Sequence, residues 1–149
     1  MLYNIIATTG KFDPLYPRDL DFLQYAKSLG DELVVILYND FRIVNGIGTG
    51  SIVGKNESSR IHDLEILDFV DVVVVSQHGV DFRYEPFTKY EKLKDLSVAY
   101  ELEQLRPHLF ITNSMETFNL NKGHCADMNI NIKFSEMGEY ENYGTKKTV

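Results

Sequence analysis

The chain has 149 residues, of which 44% are hydrophobic and 25% charged, and its formal net charge is −7. This length and composition are typical of one globular domain and exclude a disordered or fibrous protein. An acidic surface repels nucleic acid backbones and anionic lipid headgroups, so we expect neither nucleic acid nor a membrane as a partner.

The cysteine content and the N-terminal sequence indicate in which cellular compartment the protein acts. Cys125 is the single cysteine, which excludes an intramolecular disulfide and gives no cysteine-rich metal pattern. The first residues lack the basic flank and long apolar stretch of a signal peptide, and no run approaches the roughly 18 apolar residues of a membrane span. We therefore expect a cytoplasmic protein.

Short apolar runs alternate with helical patterns along the chain. The run Leu33 to Tyr38 is apolar on both faces, which is typical of a parallel strand covered by helices on each side. Pro17 suits the first turn of a helix, and Gly30 suits its C-terminal cap. The predicted strands cover 2–8, 33–38, 72–75, 109–112 and 130–134, and the predicted helices cover 18–29, 58–68 and 90–105.

This alternation predicts an α/β fold: a Rossmann-like, doubly wound, mainly parallel five-stranded sheet with helices on both faces. We see no linker or repeat, so residues 1–149 are predicted to form a single domain. Sheets of this kind bind small ligands beyond the carboxyl ends of their strands, near the point where the strand order reverses. The loops that follow the strands are therefore where we expect the site.

Two stretches near the N-terminus carry a family resemblance. The loop Gly10 to Asp13 after the first strand, and the run Ala26 to Val35 leading into the second, resemble G-x-F-D-x-x-H-x-G-H and A-K-x-L-G-D-x-L-V-V. These patterns belong to the cytidylyltransferase-like nucleotidyltransferases, such as glycerol-3-phosphate cytidylyltransferase and the heptose-phosphate adenylyltransferases. Weaker agreement, such as that of Phe69-Val70-Asp71 with Y-V-D, extends the resemblance over nearly the whole chain.

The chain departs from the family pattern at the position of the active site. The alignment places Tyr16 and Asp19 on the two histidines of H-x-G-H and Arg18 on its glycine. In the family those histidines hydrogen-bond the nucleotide phosphates. Tyr16 can donate one hydrogen bond and Arg18 can supply a cation, whereas an ionised Asp19 opposes phosphate unless it is paired. Asn113 and Gly144 also replace family residues, so the fold has either relocated its chemistry or been kept for another purpose.

The resemblance implies a set of site residues at the carboxyl ends of the strands. For three of them a plainer interpretation competes. Lys11 also fits a solvated turn residue, and Asp13 is favoured as a turn-organising residue. Arg60 fits either a surface charge or a phosphate contact. The glycine-rich loop 43–55 lacks the Walker spacing, so we interpret it as a loop at the sheet edge in which Lys55 approaches phosphate. The candidate catalytic residues are Lys11, Tyr16, Arg18 and Lys55, and the candidate nucleotide-binding residues are Thr8, Thr9, Gly10, Phe12, Asp13, Asp19, Arg60, Asn113 and Thr145.

The activity implied by the resemblance is nucleotidyl transfer. CMP or AMP would pass from CTP or ATP to a small phosphorylated alcohol or sugar, with release of pyrophosphate. No residues have metal-ligand spacing, so we expect Mg²⁺ to arrive with the nucleotide rather than at a protein metal site. The alternative is a catalytically inactive member that acts as a nucleotide-binding or protein-interaction module. We also expect a homodimer, formed through the aromatic stretch Phe82 to Tyr90.

Overall fold

The computed structural model describes residues 3–40, 54–76 and 98–144, which contain five strands and five helices in alternation. The strands are β1 (Tyr3–Gly10), β2 (Gly30–Leu37), β3 (Val72–Val75), β4 (Leu109–Thr112) and β5 (Asn131–Phe134). The helices are α1 (Pro17–Ser28), α2 (Glu57–Glu65), α3 (Ala99–Leu105), α4 (Met115–Asp127) and α5 (Met137–Tyr140). Within these ranges no helix combines the length and apolar character that crossing a bilayer requires.

The strands form one sheet in the order β3-β2-β1-β4-β5, and all four pairings are parallel. The chain therefore builds outward from β1 in one direction, through β2 and β3, and then returns to build β4 and β5 on the other side. The strand order reverses between β1 and β4, where Ile6 pairs with Leu109. The predicted parallel α/β sheet is thus confirmed, and the β1–β4 boundary is where such a sheet opens a crevice at its carboxyl edge.

Two apolar layers cover the sheet, one on each face. The first packs the α1 residues Phe22, Leu23 and Ala26 and the α2 residue Leu64 against alternate positions of the central strands. The second packs α3 and α4, with Leu102 and Cys125 at its centre, against the intervening positions. Burial raises the pKa of the Cys125 thiol to about 11, as expected of a side chain in an apolar layer. Successive strand residues face opposite layers, which explains why the buried part of β2, from Leu33 to Leu37, is apolar at every position.

The family-like motifs outside the first loop have structural roles in the described chain. Lys27 Nζ lies 2.7 Å from Asp71 Oδ2, and the same oxygen accepts a hydrogen bond from Leu33 N at 2.8 Å. Burial would raise the pKa of Asp71, but these two hydrogen bonds outweigh it and hold the pKa below its ordinary value. The A-K and V-D motifs therefore join the end of α1 to the starts of β2 and β3.

Several elements differ from the sequence prediction, and α2, for example, ends at Glu65 rather than at the predicted residue 68. Strand β1 continues to Gly10, two residues beyond the predicted end at Thr8. Gly30 is not a helix cap but the first residue of β2, since the cap of α1 is Leu29. Helix α4 was not predicted at all. The predicted helix 90–105 is described only from Ala99, and its earlier part, like the proposed dimer segment Phe82 to Tyr90, lies outside the described residues.

Candidate functional site

A cleft opens at the carboxyl edge of the sheet, at the reversal point between β1 and β4. One cavity of about 210 Å³ lies beside the start of α1, and a second of about 280 Å³ lies beside the start of α4. Both are lined by Thr9, Gly10, Lys11 and Asn113, so they are two parts of one cleft. The first part is also lined by Phe12, Asp13, Pro14, Tyr16, Arg18, Asp19 and Phe22.

The loop that follows β1 brings two exposed cations to this cleft. The side chains of Lys11 and Arg18 are both exposed, and Lys11 stands directly beyond the strand end. The Arg18 guanidinium carbon lies 6.0 Å from the centre of the Tyr16 ring, within the range of a cation–π contact, and it makes no ion pair with Asp13 or Asp19. The N-terminus of α1, with its partial positive charge, faces the same cavity. The cleft therefore presents two cations and a helix N-terminus beside the carboxylates of Asp13 and Asp19.

Asp19 already occupies part of the α1 start. Its Oδ2 accepts a hydrogen bond from Tyr16 N at 2.8 Å, so the carboxylate satisfies one of the free N–H groups at the helix start. Burial raises the pKa of the Asp19 carboxyl, and the hydrogen bond from Tyr16 and the charge of Arg18 offset this only in part. An anionic ligand at this helix start would therefore meet a carboxylate that is itself poorly solvated.

The raised pKa of Asp19 predicts how the stability of Asp19→Asn should vary with pH. A raised folded pKa gives stability that is present below the unfolded value of 3.8 and is lost as pH rises through the folded value. The amide stays neutral and can still accept from Tyr16 N. The free energy of unfolding of Asp19→Asn, relative to wild type, should therefore increase between about pH 4 and pH 7. Urea titrations of both proteins at each pH would measure this, and a constant or narrowing difference would contradict it.

Asp13 lines the cleft, but its carboxylate accepts hydrogen bonds from main-chain N–H groups. Its two oxygens accept hydrogen bonds from Gly54 N and Lys55 N, each at 2.6 Å. The close approach leaves little room at Gly54, where a Cβ atom would lie 3.0 Å from Asp13 Oδ1. The sequence favoured Asp13 as a residue that organises its own turn, but its carboxylate binds main-chain groups of a distant loop.

Arg60 and Lys55 lie behind and beside the cleft rather than in its lining. Arg60 is fully buried, and its guanidinium donates to Lys11 O, Tyr38 O and Lys55 O and pairs with Asp40. Lys55 Nζ lies 2.6 Å from Asp63 Oδ2, with its side chain partly exposed. Direct phosphate contacts by Arg60 and Lys55 stay predictions. In the described structure both side chains are engaged with protein groups.

Other predicted site residues divide between the cleft and its surroundings. Thr9 and Gly10 line the cleft, whereas Thr8 is fully buried beneath it, and its hydroxyl has no hydrogen-bond partner among the described residues. Asn113 stands at the end of β4, and its Nδ2 lies 3.1 Å from the hydroxyl of Tyr140. Thr145 lies outside the described residues; the chain up to Gly144 is docked on α1 through Asp21, which accepts from Asn142 N and Gly144 N.

Several residues of the cleft were not predicted from the sequence. The second cavity is lined by Tyr38, Ser114, Glu116 and Thr117, and Ser114 caps α4 by accepting a hydrogen bond from Thr117 N at 3.2 Å. Serine is a preferred N-cap residue of helices. Ser114 could therefore have indicated from the sequence that a helix starts here, and with it this wall of the cleft. The rings of Phe22 and Tyr140 pack edge to face behind Asn113, with their centroids 5.1 Å apart. Only the folded structure reveals this contact.

The described residues do not form a metal-binding arrangement by themselves. Across residues 3–40, 54–76 and 98–144, no three His, Cys, Asp or Glu side chains converge in a way that would hold a metal ion. In the first cavity the carboxylates are those of Asp13, which is bound to Gly54 and Lys55, and Asp19. This donor set fits Mg²⁺ only where phosphate oxygens supply most of the ligands.

The relatives that comparison with known proteins finds include three FAD synthases. The chain is 38% identical to the FAD synthase of Thermococcus sibiricus over 48% of this chain and 47% of the relative. It is 26% identical to the FAD synthase of Pyrococcus abyssi over 78% of this chain and 89% of the relative. A third FAD synthase, from Thermoplasma volcanium, is 34% identical over half of each chain. The matches thus span about half the length of two of these relatives, and no family model matches the chain.

Two solved structures share the fold. The lipopolysaccharide core biosynthesis protein from Thermoplasma volcanium aligns with a TM-score of 0.63 and 21% identity, over 90% of this chain and 98% of that one. A bifunctional NMN adenylyltransferase/ADP ribose pyrophosphatase from Francisella tularensis aligns with a TM-score of 0.51 and 12% identity, over 91% of this chain and 37% of that one. At these identities the likeness concerns the fold.

Proposed function

We propose that this chain is a cytidylyltransferase-like nucleotidyltransferase that transfers CMP or AMP from CTP or ATP to a small phosphorylated alcohol or sugar, releasing pyrophosphate. The observation that carries the proposal is the cleft at the β1–β4 reversal point. There Lys11 and Arg18 stand beside the start of α1. A helix start with adjacent cations is a suitable site for a phosphate chain.

The chemistry asks little of the protein beyond placement. An oxygen of the acceptor phosphate attacks the α-phosphorus of the nucleotide, the bond to the pyrophosphate oxygen breaks, and pyrophosphate leaves with the negative charge. Lys11 and Arg18 would stabilise the charge that develops on the phosphoryl oxygens, and Tyr16 would donate one hydrogen bond. Mg²⁺ bound with the nucleotide would neutralise part of the phosphate charge, with the phosphate oxygens supplying most of its ligands.

The names of the relatives bear on the choice of nucleotide. FAD contains an AMP unit whose phosphate is joined to the phosphate of a second unit, a phosphorylated alcohol. Relatives named FAD synthase therefore support ATP as the donor and a phosphate monoester as the acceptor. CTP remains the alternative donor, and the protein is proposed to act in the cytoplasm.

A second candidate is a family member that binds nucleotide or a partner protein without turnover. The observation that favours it is the replacement of both motif histidines by Tyr16 and Asp19, which leaves a carboxylate at the helix start. The two candidates share the fold and the cleft, and they differ in whether pyrophosphate is released.

The test is an assay of pyrophosphate release with ATP or CTP, Mg²⁺ and a panel of acceptors: glycerol 3-phosphate, a sugar 1-phosphate and riboflavin 5′-phosphate. We expect turnover with ATP and one of these acceptors. Lys11→Met should lower kcat/KM by on the order of a hundredfold, the effect of removing one donor to a developing oxyanion. Lys122→Met is the matched control, since Lys122 is exposed on α4 and lines neither cavity.

Calorimetry with ATP and CTP separates the two candidates if no acceptor is turned over. Nucleotide binding that Lys11→Met weakens, without pyrophosphate release from wild type, would reject transfer and support the binding module. Neither binding nor release would reject a nucleotide function for this cleft.

A further inference from the structure

Two loops at the rim of the cleft, residues 11–13 and 54–55, hold each other through crossed hydrogen bonds. From the first loop, the Asp13 carboxylate accepts from the main-chain N–H groups of Gly54 and Lys55. In the opposite direction, Arg60 at the start of α2 donates from Nη1 to Lys11 O and from Nε to Lys55 O, each at 3.0 Å. We call this set of contacts the loop brace.

Arg60 also ties the loop brace to the sheet. Its Nη1 donates to Tyr38 O at 2.6 Å, one residue beyond the end of β2, and its Nη2 lies 2.7 Å from Asp40 Oδ1. The side chain is fully buried, so its charge depends on these acceptors rather than on water. A buried guanidinium with this many acceptors holds the surrounding main chain in one arrangement.

The loop brace determines the position of Lys11. The residue that follows, Phe12, has φ 45°, in the left-handed region that non-glycine residues rarely adopt, so the surrounding contacts must hold the loop in this shape. Arg60 holds the carbonyl of Lys11 on one side of Phe12, and Asp13 is held on the other. Lys11 is the first of these two anchored residues, and its exposed side chain lines both parts of the cleft.

We propose that Arg60 and Asp13 are positioning residues: through the loop brace they place Lys11 against the phosphates. This inference rests on the proposed function for its catalytic consequence. Arg60 acts here through the main chain and not as a phosphate ligand. Misplacing one charged group by about 1 Å can lower a rate on the order of a hundredfold, so a loop held in a strained conformation is a sensitive point.

A double-mutant cycle distinguishes this role from direct phosphate contact. Arg60→Lys keeps the charge but cannot reach four acceptors, and it should lower kcat by about tenfold to a hundredfold with a smaller change in the nucleotide KM. In a Lys11→Met background the same substitution should change kcat less than about twofold, because its effect passes through Lys11. Full multiplication of the two effects, or a change confined to KM, would overturn the proposal.

The matched control is Arg106→Lys. Arg106 also donates to main-chain carbonyls, Glu103 O and Met128 O, but it caps α3 on the opposite face of the sheet. It should leave kcat and KM at wild-type values. An equal loss of kcat in both arginine variants would show a general structural effect and overturn the positioning role.

A measurement without nucleotide tests the loop brace independently of turnover. Amide hydrogen exchange at Gly54 and Lys55 should be at least about tenfold faster in Asp13→Asn, which loses one of the two carboxylate contacts. It should also be faster in Arg60→Lys, although Arg60 does not touch those two amides. Unchanged exchange in Arg60→Lys would show that the loops are not coupled and would reject the loop brace. If wild type neither binds nor turns over nucleotide, the proposed function fails and this exchange result alone decides the inference.

Discussion

Replacing Gly30 with alanine should destabilise the protein by about 3 kcal/mol, the upper part of the range for overpacking a closed site. Gly30 begins β2 directly beside β1, and a Cβ atom there would lie 2.3 Å from Tyr3 O and 2.7 Å from a side-chain carbon of Ile6. Because one of these contacts is with main chain, the clash cannot be relieved by a rotamer change. For a chain of this size the melting temperature should fall by about 6 to 12 °C.

Gly123→Ala is the matched control for this prediction. Gly123 is exposed within α4, and a Cβ atom there would meet no atom within 4 Å. Alanine is favoured over glycine in a helix by about 1 kcal/mol, so this variant should be as stable as wild type or more so. Chemical denaturation of both variants gives the comparison, and equal stability of Gly30→Ala and wild type would show that β1 and β2 do not approach as described.

Replacing Arg18 with alanine should weaken nucleotide binding by about 1.5 to 3 kcal/mol, the range for a hydrogen bond to a charged group. The guanidinium is exposed at the cleft and rests near the Tyr16 ring without an ion pair to Asp13 or Asp19, so it is available to a phosphate. Titration calorimetry with ATP measures the change. Arg18→Lys should retain part of the affinity, since it keeps the charge and loses the planar fork.

Asp19→His should have the opposite effect on the same measurement. The substitution removes a carboxylate from the start of α1 and adds a hydrogen-bond donor in a cavity lined by Lys11 and Arg18. Nucleotide should bind more tightly, or be turned over faster, than in wild type. If Arg18→Ala and Asp19→His both leave ATP binding unchanged, the phosphates do not lie at this helix start, and the transferase proposal loses its main support.

The sequence by itself determined where the strands lie and that they form a mainly parallel, doubly wound sheet, whereas the strand order comes from the structure. Doubly apolar runs such as Leu33 to Tyr38 can be stable only between two helical layers, and right-handed crossovers leave few ways of arranging them. The loop from Gly10 to Asp13 can also be identified from the sequence, because the G-x-F-D pattern consists of consecutive residues. Thr9, Gly10, Lys11, Phe12, Asp13, Tyr16, Arg18, Asp19 and Asn113 were all named from the sequence, and the structure brings them to one cleft.

The sequence analysis did not predict helix α4, because the face that this helix buries is partly polar. Thr117 and Asn121 are both buried, and their hydrogen bonds stand in for apolar packing: Asn121 donates to Thr117 O and accepts from Val98 N. Val98 precedes α3, so one of these partners comes from another element. The pattern of apolar residues, which is the main signal of a helix in a sequence, is therefore weak in this segment.

Only the tertiary structure decided the roles of Arg60 and Asp13. The sequence alone favoured a turn-organising role for Asp13 and left Arg60 between a surface charge and a phosphate contact. Their partners, Lys11 O for Arg60 and the amides of Gly54 and Lys55 for Asp13, lie more than forty positions away in the chain. A main-chain N–H or carbonyl has the same chemistry at every residue and leaves no mark in the sequence. Which main-chain group a buried charge meets is therefore settled by the packing of the loops around the sheet.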